Sequence, residues 1–220
     1  MVFRDRADAG RKLASALASY KDKAPVVLAL PRGGVPVAAE IAAALAAPLH
    51  LILVRKVGTP DQPELAMGAV VDGAEPIVIR NEHVIRLAGV SEQRFKSACA
   101  RELAELESRR QRFATWGRRA EIADRVAIVV DDGIATGATA RAALQATRSR
   151  GPRELVLAVP VAAPEVIAAL RSAVDTLICL ETPERFDSVG SFYRDFRQVE
   201  DDEVNAILSR LSLVPPRPTH

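Results

Sequence analysis

Two adjacent carboxylates, Asp131 and Asp132, follow an apolar run in this 220-residue sequence and precede a loop rich in glycine and threonine. The run, residues 126–130, is mostly β-branched, which is typical of a strand buried on both faces. Open α/β sheets bind their ligands at the carboxyl ends of the strands, where these two acids would stand. Gly133 and Gly137 permit backbone conformations that expose N–H groups, and an alanine-rich helix follows. Such a loop before a helix N-terminus predicts an anion site.

The acids and the loop favour different parts of one ligand. Carboxylates repel phosphate, so Asp131 and Asp132 are better suited to accept hydrogen bonds from sugar hydroxyls, directly or through a divalent cation. A ribose 5-phosphate carries both kinds of group. The alternative is purely structural: D-D-G can end a strand in a turn, with Thr136 capping the helix. That alternative explains the acids and Thr136 singly, but not the whole string.

A second strand–loop–helix unit lies earlier in the chain. Residues 25–30 predict a buried strand, a Pro-Arg-Gly-Gly loop occupies residues 31–34, and residues 35–47 predict an alanine-rich helix. The two glycines let the backbone approach a ligand closely, and the Arg32 guanidinium can fork onto phosphate oxygens. A tight turn with a solvated arginine is the alternative, and a second anion loop in the same chain disfavours it.

Two more cations, Arg55 and Lys56, end the next apolar run. Residues 49–54 predict a strand, whose carboxyl end would carry both cations to the ligand edge. Solvated basic residues at a strand exit are the alternative. Beyond them, residues 68–71 and 76–79 predict a hairpin.

The two loops together resemble those of type I phosphoribosyltransferases. Residues 126–139, with an apolar run, D-D, three residues and T-G-A-T, are similar to the family signature. The L-P-R-G-G of residues 30–34 is similar to the family's diphosphate loop, although it is less specific. The resemblance covers residues 26 to about 180.

The resemblance implies an activity, a cofactor and a set of site residues. The implied reaction transfers the 5-phosphoribosyl group from phosphoribosyl diphosphate to a nucleobase or related nitrogen acceptor, releases diphosphate and uses Mg²⁺. The implied catalytic residues are Asp131, Asp132, Arg32 and Lys56. Asp131 and Asp132 would also serve the metal, mostly through substrate hydroxyls or water. The predicted substrate-binding residues are Pro31, Arg32, Gly33, Gly34, Arg55, Lys56, Asp131, Asp132, Gly133, Ala135, Thr136, Gly137, Ala138, Thr139, Phe186, Phe192 and Tyr193.

The acceptor is left open by two features. Ala135 stands where family members acting on 6-oxopurines have an aspartate near the base, so one proton acceptor is missing. This resembles the orotate and adenine members, and disfavours hypoxanthine or guanine. Phe186, Phe192 and Tyr193 belong to an aromatic cluster in a chain with only 4% aromatic residues, and they are candidates for a hood that stacks on a base. A hydrophobic cluster closing the sheet edge is an equal alternative.

The order of elements predicts the fold. Strands and helices alternate from residue 26 to residue 180, which favours a parallel, doubly wound sheet flanked by helices. We expect one domain with a core of about 24–180, an inserted hairpin and helical segment of about 60–120, a hood of about 181–212 and a tail of 213–220. Residues 201–211 predict a last amphipathic helix.

Composition gives little evidence for a membrane or a disulfide framework. Net charge is +2, from 30 basic and 28 acidic residues. Cys99 and Cys179 lie far apart, which fits two buried thiols in a reducing compartment. The charged amino end lacks an apolar signal core, and Pro48 and His50 interrupt the longest apolar stretch. These patterns predict a cytoplasmic protein.

Residues 81 to about 117 predict a charged helical region, with eight basic residues against three acidic between Arg94 and Arg119. A solvated face is favoured over a nucleic-acid interface, because aromatic residues are sparse there. Its helical stripe can equally support self-association, so a homodimer is considered. Two function classes remain: a phosphoribosyltransferase, and a sensor of phosphoribosyl diphosphate or nucleotides with the same fold. Arg32, Arg55, Lys56 and both aspartates favour the enzyme. A dehydrogenase is disfavoured, because no G-x-G-x-x-G follows a strand.

Overall fold

The computed structural model describes residues 2–72, 76–113 and 121–212, which form a mixture of strands and helices. The strands in chain order are β1 (Val26–Ala29), β2 (Leu49–Leu51), β3 (Val54–Gly58), β4 (Ala66–Val71), β5 (Ile77–Arg80), β6 (Val126–Val130), β7 (Glu154–Val161) and β8 (Thr176–Glu181). The α-helices are α1 (Arg6–Ala16), α2 (Gly34–Leu45), α3 (Glu82–Leu87), α4 (Glu92–Arg112), α5 (Ala138–Arg148), α6 (Pro164–Leu170) and α7 (Asp201–Ser212).

Five strands form a parallel sheet in the order β2-β1-β6-β7-β8. β2 lies on one side of β1, and β6 lies on the other side. The strand order therefore reverses between β1 and β6, which is the switch point where such sheets bind ligands. The predicted parallel, doubly wound sheet flanked by helices is confirmed.

Both faces of this sheet are covered, as its uniformly apolar strands require. Val27 of β1 and Ile128 of β6 pack with α1, α2 and α7, whereas Leu28 and Val129 pack with α5 and α6. All five residues of β6 are buried. Because alternate side chains serve opposite faces, the central strands are fixed in depth and register.

The inserted segment differs from the prediction. The strand expected over residues 49–54 ends at Leu51, and a separate strand, β3, begins at Val54. Strands β3, β4 and β5 form a second, antiparallel sheet, so the predicted hairpin is two strands of a three-stranded meander. Arg55 and Lys56 therefore lie inside β3 and do not end a strand of the parallel sheet. The error arose because one apolar run continues across the change of sheet.

The predicted helical region after residue 81 is two helices. Asn81 caps α3, α3 ends before Gly89, whose φ is +59°, and Ser91 caps α4 by accepting a hydrogen bond from the Arg94 N–H at 3.3 Å. Ser91 is thus the N-cap of α4, a position that serine commonly occupies. Residues 114–117 and the basic Arg118 and Arg119 lie outside the described residues.

The amino-terminal segment pairs with the segment before α7. The Phe3 N–H donates to the Phe192 carbonyl at 2.8 Å, and the Arg194 N–H donates to the Phe3 carbonyl at 2.9 Å. The predicted hood is thus held by the first residues of the chain. None of the helices within the described ranges has the length and apolar character needed to cross a membrane.

Candidate functional site

The two predicted loops meet at the switch point of the parallel sheet. The Leu30 N–H, just after β1, donates to the Val130 carbonyl at the end of β6 at 2.9 Å. A Cβ atom added to Gly34 would lie 2.8 Å from the Val130 carbonyl oxygen and 3.0 Å from the Asp131 Cα. A Cβ atom on Gly33 would overlap the carboxylate of Asp132. The glycine pair therefore permits a close approach between the first loop and the acid pair.

Asp131 is the acid of the pair whose pKa is strongly shifted. Its Oδ1 accepts a hydrogen bond from the Asp132 N–H at 2.9 Å. Burial and the neighbouring charge of Asp132 raise the pKa of Asp131 well above its ordinary value. A carboxyl group perturbed in this way, in a loop at the ligand edge of the sheet, is typical of a functional site.

Asp132 is held by an arginine from α1 that the motifs did not point to. The Nε of Arg6 donates to Asp132 Oδ2 at 2.7 Å, and the two side chains are only 10% and 14% exposed. The same guanidinium donates to the Arg197 carbonyl at 2.8 Å and lies 3.9 Å from the centre of the Phe196 ring. The sequence around Arg6 gave no signal of this contact, because Arg6 and Asp132 are 126 residues apart in the chain.

Tyr193 supports the backbone of Asp132. Its hydroxyl donates to the Asp132 backbone carbonyl at 2.6 Å, and its ring lies between those of Phe3 and Phe196, with centroids 5.4 and 4.9 Å away. Only 6% of Tyr193 is exposed. Tyr193 therefore supports the backbone of Asp132, and its predicted stacking on a base stays a prediction.

Phe186 and Phe192 are the aromatic pair that remains near the surface. Their rings stack with centroids 5.7 Å apart and planes inclined by 20°, and both side chains are half-buried. They pack against the cluster of Phe3 and Tyr193. Their stacking on an acceptor stays a prediction.

The loop after Asp132 leads into α5 without a side-chain cap. Gly137 occupies the N-cap position with a φ of +75°, and no side-chain hydrogen bond caps the helix. The capping role considered for Thr136 is therefore not observed. Ala135 and Thr136 are exposed, and Ala138 and Thr139 at the start of α5 are half-buried. Uncapped N–H groups beside exposed hydroxyls are suited to bind an anion.

Gly133 is the residue where the loop turns under the hood. A Cβ atom there would lie 3.0 Å from a methyl group of Val189 and 3.1 Å from one of Val161. The next residue, Ile134, is anchored by a hydrogen bond from its N–H to the Val161 carbonyl at 3.0 Å. The hood thus packs on the acidic loop itself.

Arg32 projects towards the start of α7. One guanidinium nitrogen lies 3.5 Å from Glu200 Oε2 and 3.5 Å from Asp201 Oδ1, and the side chain is 30% exposed. The peptide bond between Pro31 and Arg32 is cis. Arg32 precedes Gly33 in the chain, and the nearest charged partners of its guanidinium are the acids at the start of α7.

The side chains of Arg55 and Lys56 lie on opposite faces of β3. Arg55 donates from Nε and Nη2 to Glu102 Oε2 of α4, at 3.0 and 2.8 Å. Lys56 is exposed. Adjacent residues of a strand point to opposite faces, so the two cations cannot approach one ligand from the same side.

Arg109 is a further cation that the sequence analysis did not select. It is half-buried on α4, seven residues after Glu102, so the two side chains share a helix face. Burial lowers the pKa of Arg109, and Arg32 and Arg55 lower it further, with Asp201 opposing. The described residues provide no hydrogen bond or ion pair to its guanidinium. The charges of Arg32 and Arg55, which the sequence assigned to the diphosphate, thus act on the Arg109 guanidinium.

The acid pair fits Mg²⁺ only in combination with a ligand. Within the described ranges, no group of three or more His, Cys, Asp or Glu side chains could hold a metal ion. Arg6 occupies Asp132 Oδ2, which leaves Oδ1 of Asp132 and the carboxylate of Asp131 as donors. Mg²⁺ commonly binds one or two carboxylates together with substrate phosphates and water, so this donor set fits a cation that a phosphorylated ligand brings.

Comparison with known proteins identifies the family. The phosphoribosyl transferase domain model matches residues 4–196, and the chain belongs to that family. Two proteins of Mycobacterium tuberculosis, from strains H37Rv and CDC 1551, are provisionally named phosphoribosyl transferases, and each is 46% identical over 209 residues. The alignments cover 95% of this chain but only 47% of each relative. This chain thus spans about half the length of the curated relatives it matches.

Solved structures support the same fold. The crystal structure of the TT1426 protein from Thermus thermophilus is 42% identical, with a TM-score of 0.85, and the match covers 96% of this chain and 99% of that one. The AQ2163 protein from Aquifex aeolicus is 13% identical with a TM-score of 0.50, over 84% of this chain and 78% of that one. The latter is a likeness of fold alone.

Proposed function

We propose that this chain transfers the 5-phosphoribosyl group of phosphoribosyl diphosphate to a nitrogen acceptor and releases diphosphate. The observation that carries the proposal is the contact of the Gly33–Gly34 backbone with Asp131 and Asp132 at the switch point. It brings an anion loop, an acid pair and a helix N-terminus together at one edge of the sheet. A ribose with phosphate groups at both ends matches that order of chemical groups.

The 5-phosphate would bind at the start of α5. Exposed Thr136, half-buried Thr139 and the uncapped N–H groups after Gly137 offer donors to its oxygens. The helix dipole adds a favourable field at the same point. No cationic side chain is needed for this half of the ligand.

The ribose hydroxyls would bind the acid pair. Asp131 and Oδ1 of Asp132 can each accept a hydrogen bond, and such bonds to charged acceptors are stronger than neutral ones. Mg²⁺, when present, would be held by these carboxylates and by the ligand's oxygens, and would neutralise charge on the diphosphate. The direct task of the acid pair is to orient C1 of the ribose.

The diphosphate would bind on the side of Arg32. The Gly33 and Gly34 backbone approaches closely there, and Arg109 supplies a second guanidinium that forms no ion pair with the described residues. Arg55 is hydrogen-bonded to Glu102. Lys56 is exposed and lies on the face of β3 opposite to Arg55. Arg32 and Arg109 are therefore the cations best placed for this half.

The chemistry would be positioning and charge stabilisation. The bond from C1 to the diphosphate oxygen breaks, the acceptor nitrogen forms a bond to C1, and the nitrogen's proton leaves to solvent. Negative charge grows on the departing diphosphate next to Arg32 and Arg109, and positive charge grows on the ribosyl ring next to the acid pair. A covalent enzyme intermediate is not required.

The acceptor would lie between Ala135 and the hood. Ala135 offers no proton acceptor, so the site suits an acceptor whose nitrogen is already nucleophilic or loses its proton to water. Phe186 and Phe192 present the nearest stacked aromatic surface for a planar ring.

Cys99 and Cys179 are free thiols, which supports a reducing, cytoplasmic location.

The experiment is a panel of nucleobases and related amines incubated with phosphoribosyl diphosphate and Mg²⁺, with diphosphate release measured for each. We expect release with at least one acceptor, and its loss in Asp131→Asn/Asp132→Asn. Release that persists in this double variant would contradict the assigned roles. Tight binding without release for any acceptor would instead support the alternative, a sensor that retains the fold.

A further inference from the structure

The acid pair is joined to the hood through one side chain, Arg6. Its guanidinium makes three contacts at once: Nε donates to Asp132 Oδ2 at 2.7 Å, Nη1 donates to the Arg197 carbonyl at 2.8 Å, and its flat face lies 3.9 Å from the Phe196 ring centre. Both Arg6 and Asp132 are nearly enclosed. A planar, forked cation can make these contacts together, whereas a single ammonium cannot.

The contact fixes one oxygen of Asp132 and leaves the other available. Because Arg6 approaches from the side of Phe196, Oδ2 points towards the hood. The backbone of Asp132 is held as well, by the Tyr193 hydroxyl at 2.6 Å. The Gly33 backbone lies against the same carboxylate. Rotation of the Asp132 side chain would therefore break the Arg6 bond or collide with the first loop.

Arg6 also compensates the charge of the acid pair. Two adjacent carboxylates repel each other, and the nearly buried guanidinium bonded to Asp132 places a positive charge beside both of them. The Arg6 guanidinium is thus contacted on three sides, by Asp132, the Arg197 carbonyl and the Phe196 ring.

We propose that Arg6 is a positioning residue for ribose recognition. It fixes the free oxygen of Asp132 towards the sugar hydroxyls and makes that orientation depend on the docked hood. This inference rests on the proposed function, because it assumes a ribose phosphate at the acid pair. Arg6 itself touches no part of the ligand, and the 5-phosphate loop at the start of α5 does not depend on it.

The test separates sugar recognition from phosphate recognition. The affinities of ribose 5-phosphate and of inorganic phosphate, which has no sugar hydroxyls, are measured by calorimetry for the wild type and Arg6→Gln. Their ratio is the gain from the sugar, and we expect about tenfold or more in the wild type, the size expected for hydrogen bonds to a charged group. In Arg6→Gln we expect the gain to fall to about threefold or less, with phosphate affinity unchanged.

Leu155→Ala is the matched control. Leu155 is fully buried at the amino end of β7, at the opposite end of the sheet from the acid pair, and it makes no contact with the hood or with Asp132. The substitution should lower stability by packing loss and leave the sugar gain unchanged. Equal loss of both affinities in Arg6→Gln, or an unchanged gain, would overturn the positioning role. A wild type without any sugar gain would contradict the proposed function instead.

Arg6→Lys keeps the experiment decisive if the glutamine variant does not fold. Lysine retains a cation for Asp132 but cannot also donate to the Arg197 carbonyl in the same geometry. We expect a sugar gain between those of the wild type and a variant without the ion pair. A folded Arg6→Lys protein with the full wild-type gain would overturn the inference.

Discussion

Tyr193 and Asp132 are joined by a 2.6 Å hydrogen bond from the phenol hydroxyl to the backbone carbonyl. The bond ties the hood to the first turn of the acidic loop. Burial raises the pKa of Tyr193, so the hydroxyl keeps its proton for this bond throughout the ordinary pH range. The aromatic cluster and the acid pair are thus parts of one structure.

Removing this hydroxyl should affect both stability and binding. We expect Tyr193→Phe to lower the free energy of unfolding by about 1–3 kcal/mol, because a buried carbonyl loses its donor. Binding of ribose 5-phosphate should weaken, because the Asp132 backbone is then less restrained. Denaturant unfolding and calorimetry measure the two effects.

Tyr20→Phe is the control for that experiment. The Tyr20 hydroxyl donates to Glu154 Oε1, also at 2.6 Å, at the opposite end of the sheet. This variant should lose stability without weaker binding. Equal weakening in both variants would show that general destabilisation, and not the bond to Asp132, governs affinity.

Gly33→Ala should disrupt the contact between the two loops. The Gly33 backbone is in the ordinary helical region, at φ −59° and ψ −37°, so alanine is compatible with it. The added methyl group would instead overlap the Asp132 carboxylate. We expect a loss of ribose 5-phosphate affinity of about tenfold or more, from one displaced charged hydrogen bond.

Gly151→Ala provides a contrasting loss of stability. Gly151 has a φ of +66° and no atom within 4 Å of an added Cβ, so its cost is backbone strain of about 1–2 kcal/mol. Its affinity for ribose 5-phosphate should equal that of the wild type. If Gly33→Ala bound as tightly as Gly151→Ala, the close approach would have no role in the site.

Asp131→Asn should stabilise the unliganded protein. Burial and the charge of Asp132 disfavour the ionised Asp131, and asparagine keeps the Oδ1 acceptor for the Asp132 N–H. The free energy of unfolding at neutral pH should rise, as is common when function requires an unfavourable charge. Ligand affinity should fall at the same time.

Asp175→Asn should have the opposite effect on stability. Arg148 and the Leu155 N–H lower the pKa of Asp175, which shows that its ionised form is favoured. The free energy of unfolding should decrease in this variant, and affinity should not change. Thermal unfolding with and without ribose 5-phosphate distinguishes the two aspartates. A destabilised Asp131→Asn protein would contradict the expectation.

Low pH should weaken the interactions that Asp8 makes with Arg4 and Lys12 at the start of α1. The Arg4 backbone N–H, with Lys12 and the Arg4 side chain, lowers the pKa of Asp8 to about 2 from 3.8. A lowered folded-state pKa contributes stability above the unfolded value, and that contribution is lost as pH falls through the folded one. The gap in unfolding free energy between wild type and Asp8→Asn should therefore shrink from about pH 5 to pH 2.

Asp61→Asn is the control for the pH series, because Asp61 is exposed and has no ion pair within the described residues. Its unfolding free energy should follow that of the wild type at every pH. If the difference in unfolding free energy between the wild type and Asp8→Asn stayed constant down to pH 2, the charge of Asp8 would not contribute to stability. Urea unfolding across the pH range measures both.

Arg109→Gln should weaken diphosphate binding. The half-buried guanidinium lies close enough to Arg32 and Arg55 for their charges to lower its pKa. Losing one charge-assisted contact should cost about tenfold in affinity for inorganic diphosphate. Arg94→Gln removes the same charge from the exposed start of α4 and should leave affinity within about twofold. Equal effects would indicate only a general charge effect.

The sequence predicted the parallel sheet and the two loops because their signals are local. Residues 126–130 are apolar on every position and are followed at once by two acids and glycines, so strand, loop and helix could be assigned in order. The alternation of strands and helices predicted a parallel sheet, but the order of its strands is known only from the structure. Since the acid pair follows one predicted strand and the loop of residues 31–34 follows another, both were expected at the carboxyl edge of that sheet.

Tertiary structure decided which side chains complete the site. Arg6 reaches Asp132, and Tyr193 reaches the same residue, across distances in sequence that no periodic pattern encodes. The same is true of Arg55, whose local position at the end of an apolar run suggested a free cation although Glu102 binds it. The sequence determined which chemical groups the two loops carry. The partners of Asp132 and Arg55 were determined only by the packing of α1, α4 and the hood in the folded chain.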